Sequence, residues 1–333
     1  SLEENDNLIK ASNLDLSKDN KIMSVDKIIL DYSDKDLLKN KIIIDRNNEN
    51  YNLYSSSFNA INLINDLLDT DYKSKIKKIF HNDFKVIIKV DKTHLDKEYV
   101  INNLIGYLVF SDSEIKDADL EAFFSNSKKI RLTIRSTIDE KITTLYSDIA
   151  KPFVNRYEFI KGFDQGNLDF YSIKKNNLSN SKLIIDNFKV QEVPALAKLL
   201  TLASLQGIAD LLTGEGIRFS DFEMNFSNEK NLMKINELYA IGPAISILMD
   251  GYIEGKNLIS LRGTMVPATT INRTISSIPL IGNILVGKKV GEGVFGVSFK
   301  VKGPPKKLKT TVNPVKTLTP RFITRTLEKL KDN

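Results

Sequence analysis

Apolar and polar side chains alternate one for one in stretch after stretch of this chain. Phe84, Val86, Ile88 and Val90 alternate with Lys85, Lys89 and Asp91, with Ile87 the exception. Ile130, Leu132 and Ile134 alternate with Arg131, Thr133 and Arg135, and Val297, Phe299 and Val301 with Ser298, Lys300 and Lys302. A period of two belongs to an extended strand with one apolar face. Short polar turns separate the stretches, which makes antiparallel pairing the expectation, and no sustained βα alternation argues for a parallel sheet. Roughly fifteen to eighteen strands are expected. At about 4.8 Å per strand one continuous sheet would extend about 70–85 Å, and open sheets that long curl or split. The fold class expected is mainly β with minor α: a long, curled antiparallel sheet with an apolar inner face. On periodicity alone a sandwich with an ordinary core fits the same pattern.

Helical patterns are few. A helix is expected over 194–213, where Pro194 suits the first turn and Leu196, Leu199, Leu200, Ala203, Gly207 and Leu211 share one face. Gly214 and Gly216 stop it. The apolar run Val193–Leu212 has the length of a membrane span but contains Lys198, Gln206 and Asp210. It therefore reads as a helix packed on the sheet, touching a membrane surface or capping a groove, with Leu196, Leu199, Leu200 and Leu211 as its candidate contacts. Shorter helical pieces are expected near 58–80, 269–277 and 319–330. The chain divides into a strand-repeat segment, 1–190, and a second module, 191–333.

Several chemistries find no support. There is no cysteine, so disulfides, thiolate nucleophiles and Cys-ligated metals are excluded. His81 and His94 have no second histidine nearby, and no nucleophile elbow is present; no enzyme activity, metal or cofactor is expected. Gly291, Gly293 and Gly296 satisfy G-x-G-x-x-G, but the segment runs into a strand instead of opening a helix, so it reads as a glycine turn. The net charge is +6. Val294–Thr326 holds eight basic residues and no acid, leaving −2 for the remainder. No aromatic platform accompanies these cations, which argues against nucleic acid. Lys306, Lys307 and Lys309 are candidates for anionic head groups; a solvated, edge-protecting strand face is the alternative.

From Val193 onward an ordered set of segments appears: PALAKLL, G-x-G-I-x-F, IGPA, GYIEG, a V-P segment, IPLIGNILVG and GEGVFG ahead of V-x-G. In that order they resemble the C-terminal region of AsmA-like bacterial envelope proteins, closest to the YhdP-like members. The resemblance covers about the last 140 residues. It implies a β-groove projecting into the periplasm and non-enzymatic phospholipid handling between the inner and outer membranes. It also implies an inner-membrane anchor in an N-terminal part outside this chain, which opens on Ser1. It favours the groove over the sandwich. Phe84, Val86, Ile88, Ile130, Leu132, Ile134, Val297, Phe299 and Val301 are then the candidate acyl-chain contacts. The competing expectation is an envelope scaffold that binds protein partners and carries no lipid.

Overall fold

Strands take up 74% and helices 5% of the residues that the computed structural model describes, so the chain is mainly β. Those residues are 2–4, 7–34, 37–61, 83–111, 114–154, 161–191, 194–202, 214–255, 257–267, 296–305 and 307–315. In chain order the strands are β1 (Leu2–Glu4), β2 (Asn7–Ser12), β3 (Asp15–Leu16), β4 (Ile22–Ser24), β5 (Lys27–Ser33), β6 (Lys39–Asn47) and β7 (Asn50–Asn59). Then follow β8 (Phe84–His94), β9 (Val100–Ser111), β10 (Glu114–Phe124), β11 (Lys129–Ser136), β12 (Lys141–Ser147), β13 (Lys161–Lys175) and β14 (Leu178–Gln191). The last six are β15 (Ile217–Glu229), β16 (Leu232–Ile241), β17 (Ile245–Glu254), β18 (Leu258–Pro267), β19 (Gly296–Gly303) and β20 (Lys309–Val315). Two helices are described, α1 (Lys151–Val154) and α2 (Pro194–Leu202).

The chain forms two compact units, Ser1–Pro152 with Leu168–Ser179, and Phe153–Asn167 with Asn180–Asn333. The division falls inside β13 and β14 and not at a linker, because each of these strands runs from one unit into the other.

In the first unit β1, β2, β5, β6 and β7 pair in turn, antiparallel. From β8 through β12 to residues 168–174 of β13 the pairing is again antiparallel. The exception to the antiparallel expectation is β7 with β8, which are parallel. A parallel pair needs a long crossover, and residues 60–83 supply it. The helical insert expected near 58–80 falls mostly on this crossover: strand β7 claims Phe58, and 62–82, His81 among them, lie outside the described residues. A buried asparagine holds the crossover's start. Asn40 accepts the Asn59 N–H at 2.7 Å and donates to the Leu38 carbonyl at 3.0 Å. Residues 1–20 contain β1, β2 and β3; β2 has no buried residue, three of its six being exposed, so no burial pattern marks it in the sequence.

In the second unit β15 to β20 form a continuous antiparallel meander. Phe163, Phe188 and Phe219 stack in file at 5.3 Å, linking β13, β14 and β15. Gly162 and Gly166 sit within β13 at positive φ.

Among the described residues six of the ten non-glycine residues at positive φ are asparagines, whose short polar side chain tolerates the left-handed region; Asn48 and Asn176 stand in hairpin turns, Asn103 and Asn187 within strands. Gly106 and Gly251 show what a glycine does within a strand. Gly106, in the middle of β9, has φ +142°, and a Cβ there would lie 1.8 Å from the Asp119 carbonyl oxygen. Gly251 in β17 has φ +147° and would meet the Ser260 carbonyl oxygen at 2.2 Å. Each lets the neighbouring backbone close in where a side chain would block it, the device by which sheets are bent. Replacing Gly106 by alanine will destabilise the first unit by at least about 1–3 kcal/mol, the cost of a strained backbone position. A urea titration of G106A checks this, and an unchanged midpoint would contradict it.

Candidate apolar binding face

The hydrogen-bond registers of the first unit decide which side chains share a face. Ile88 lies opposite Gly106, Gly106 opposite Leu120, Leu120 opposite Leu132, Leu132 opposite Leu145, and Leu145 opposite Phe170. One pleat along, Val86, Leu108, Ala118, Ile134, Thr143 and Ser172 form a second row. Ala122, Ile130, Ser147 and Leu168 begin a third. Thus six of the expected acyl-chain contacts, Phe84, Val86, Ile88, Ile130, Leu132 and Ile134, stand on one side of one sheet. Val25, Tyr51, Val86, Ile88 and Val90 form a buried cluster there, with Leu53, Leu104, Leu108 and Leu120 packed around it. Phe84 stacks on Phe110 at 4.9 Å and meets Tyr51 edge-on at 5.5 Å.

The other side is polar. Arg131 grips Asp119 with two bonds of 3.1 and 2.9 Å, and Arg135 reaches Asp117 at 3.1 Å and Asp119 at 3.0 Å. The bond from Arg131, then that from Arg135, holds the Asp119 carboxyl below the ordinary range against the opposing pull of burial. Lys85 rests 4.2 Å above the Tyr107 ring, and Thr133 pairs with Thr144 at 2.6 Å. Exposed pairs of this kind add little stability each; they identify the wet face. Ile87, the break in the alternation, is 43% exposed among them.

Among the described residues only β3 and β4, two and three residues long, form a separate sheet in this unit. Val25, between β4 and β5, is buried within the cluster of the apolar face. A pocket of about 460 Å³ is lined by Asp26, Arg46, Asn48 and Glu49; Arg46 lies opposite Tyr51 in the β6–β7 register, so the pocket borders the apolar cluster. No three His, Cys, Asp or Glu side chains converge as metal ligands among the described residues. His94 ends β8, where its carbonyl accepts the Ala60 N–H at 2.9 Å.

The remaining candidates fall in the second unit. Val297, Phe299 and Val301 share a face with Met265, Gly263 and Leu261, their partners in β18. The Phe299 ring fills the space over Gly263, where a Cβ would lie 2.7 Å from its Cζ. Val297 and Met265 are 1% and 0% exposed. Of the helix expected over 194–213, α2 is described. It packs against β20, with Leu199 and Leu200 buried and Leu196 half-buried. Leu211 lies outside the described residues, as do the helices expected near 269–277 and 319–330. No described helix is long and apolar enough to cross a membrane. Of the three C-terminal lysine candidates, the two described do not join the apolar face. Lys307 is exposed in the β19–β20 turn, closed by its N–H to the Pro304 carbonyl at 2.8 Å. Lys309 is opposite Lys302, on the side away from Val301, and Lys306 lies outside the described residues. Of the glycine motif only Gly296 is described, opening β19.

Alternation did not reveal a buried carboxylate in the second unit, on the face that Phe219, Tyr239 and Ile241 share. Glu223 is 8% exposed. Its Oε2 accepts the Tyr239 hydroxyl at 2.6 Å, and its Oε1 accepts Asn225 at 2.9 Å and lies 3.1 Å from Lys182 Nζ. Burial alone raises its pKa; the Tyr239, Asn225 and Lys182 hydrogen bonds outweigh burial and hold it below the ordinary value.

No family model, no curated protein and no solved structure matches this chain.

A carboxyl whose folded pKa is depressed contributes stability that is complete above its unfolded value, near 4.5, and is lost as pH falls through the folded value. Urea unfolding of E223Q will therefore show a loss of about 1–3 kcal/mol at pH 7 and a shallower decline than the native chain below pH 4.5. Parallel acid limbs would contradict this account.

Proposed function

We propose that the first unit holds the acyl chains of phospholipid along the face built by β8 to β13, as part of non-enzymatic lipid handling in a bacterial envelope. The observation that carries the reading is the row Ile88, Gly106, Leu120, Leu132, Leu145 and Phe170, free of polar side chains across six neighbouring strands, opposite a salt-bridged wet side, with no large second layer among the described residues. Transferring an acyl chain into water costs about 0.8 kcal/mol per CH₂, on the order of 12 kcal/mol for sixteen carbons. An apolar strip removes most of that cost while the head group stays in solvent. The chain enters by parting side chains that lean on one another, since single dispersion contacts are only about 0.1–0.2 kcal/mol each. The second unit serves differently in this reading. There Phe299 lies over Gly263 and α2 rests on β20, so Val297, Phe299 and Val301 act as packed core. The ordered C-terminal segments that resemble AsmA-like proteins support the same assignment, with a periplasmic setting and an inner-membrane anchor carried elsewhere in the protein.

Leu120 and Leu132, half-buried partners across β10 and β11, give the test. The purified protein is expected to carry phospholipid detectable by native mass spectrometry. The L120D/L132D variant, folded by circular dichroism, is expected to lose it, while Y146D on the wet face keeps it. A folded native protein that neither carries lipid nor takes it up from vesicles would instead favour a scaffold that binds proteins.

A further inference from the structure

The apolar rows end in a row of a different kind. Continuing the β11, β12 and β13 registers one pleat beyond Ile134, Thr143 and Ser172 brings Ser136, Lys141 and Lys174 into line on the same face. Lys116 of β10 lies one residue beyond the Asp117–Arg135 pair, at a bulge in β10, near enough to Lys141 for the two charges to repel. Three lysines thus occupy four adjacent strands at about 4.8 Å spacing. Like charges placed directly opposite, as Lys141 and Lys174 are, destabilise a strand pair. Glu114, 3.2 Å from Lys116, offsets one of the three charges. The Ser136 hydroxyl oxygen is buried without a hydrogen-bond partner. Burial holds the Lys141 ammonium below the ordinary lysine pKa; Glu114 opposes that, and Lys174 and Lys116 add to it. The row therefore has excess cation and an unused donor, at the end of an apolar strip.

We infer that Lys116, Ser136, Lys141 and Lys174 seat the phosphate of an anionic phospholipid whose acyl chain lies along the strip ending there. The inference rests on the lipid reading above. From Ser136 to Ile130 the strip runs six residues, about 20 Å at 3.3 Å each, against about 15 Å for one leaflet of a bilayer core. A head group seated at the row thus leaves its chain on apolar side chains along its whole length. A net negative head group offsets one of the two remaining charges, whereas a zwitterionic one leaves both.

The test incubates the full chain with vesicles of phosphatidylcholine containing phosphatidylglycerol, then counts each lipid on the re-isolated protein by native mass spectrometry. Phosphatidylglycerol is expected to be enriched over its share. K141Q/K174Q is expected to cut that enrichment about tenfold or more, at about 1 kcal/mol per lysine, while still taking up phosphatidylcholine. If the double variant does not fold, K174Q, at an exposed position, carries the comparison. Lipid captured in proportion to the vesicle, or enrichment unchanged in the variant, overturns the head-group seat and leaves the acyl-chain reading standing. Capture of neither lipid overturns both.

Discussion

The ladder of backbone hydrogen bonds that fixes strand register is the constraint on which everything else in this chain depends. Side chains repeat with a period of two, so a slip of one residue would turn a whole strand over. Leu132 would then face water and Arg131 the apolar rows. The Arg131–Asp119 and Arg135–Asp117 pairs stabilise little by themselves, but each is satisfied in only one register. Leu120 against Leu132 and Ala118 against Ile134 demand that same register from the opposite face. Cross-strand agreement on both sides makes the apolar face continuous, although no single strand is unusually apolar.

The two units build buried faces from the same alternation. In the second, the rows around Val297 and Met265 are almost fully enclosed, an aromatic ring lies over a glycine, and a helix packs against β20. In the first, Val90, Ala118, Ala122 and Ile134 are just as well buried, at 0–4% exposed, and the short β3–β4 pair is the one separate sheet among the described residues.

Much of the fold was legible because alternation is local. The strands through Ile88, Leu132 and Phe299 follow from counting residues, and the common face of Phe84 through Ile134 follows once neighbours are paired. What alternation could not reveal depends on partners distant in sequence. The parallel β7–β8 pair depends on where a crossover returns the chain. Glu223 reads as one more polar-face residue until Lys182, from a different strand, is placed beside it. The C-terminal lysines stood out in sequence by density, yet the register sets Lys309 on the wet side. Lys116, Lys141 and Lys174 are scattered over 59 positions and align only through three successive pairings. Strand ends are where alternation gives way to turns, so lysines there read as ordinary turn chemistry.

The parallel junction between β7 and β8 also shapes how the first unit comes together. On either side of it lie runs of hairpins, β5 to β7 and β8 to β12, whose contacts are close in sequence and close quickly. Joining the two runs means bringing together the ends of a long segment, an entropic cost incurred before any pairing rewards it. Each meander is therefore a natural cooperative block, and the seam between Tyr51 and Val86 is the contact made last. Those two residues belong to the same buried cluster, so the hydrophobic centre of the unit is complete only when its slowest seam has closed.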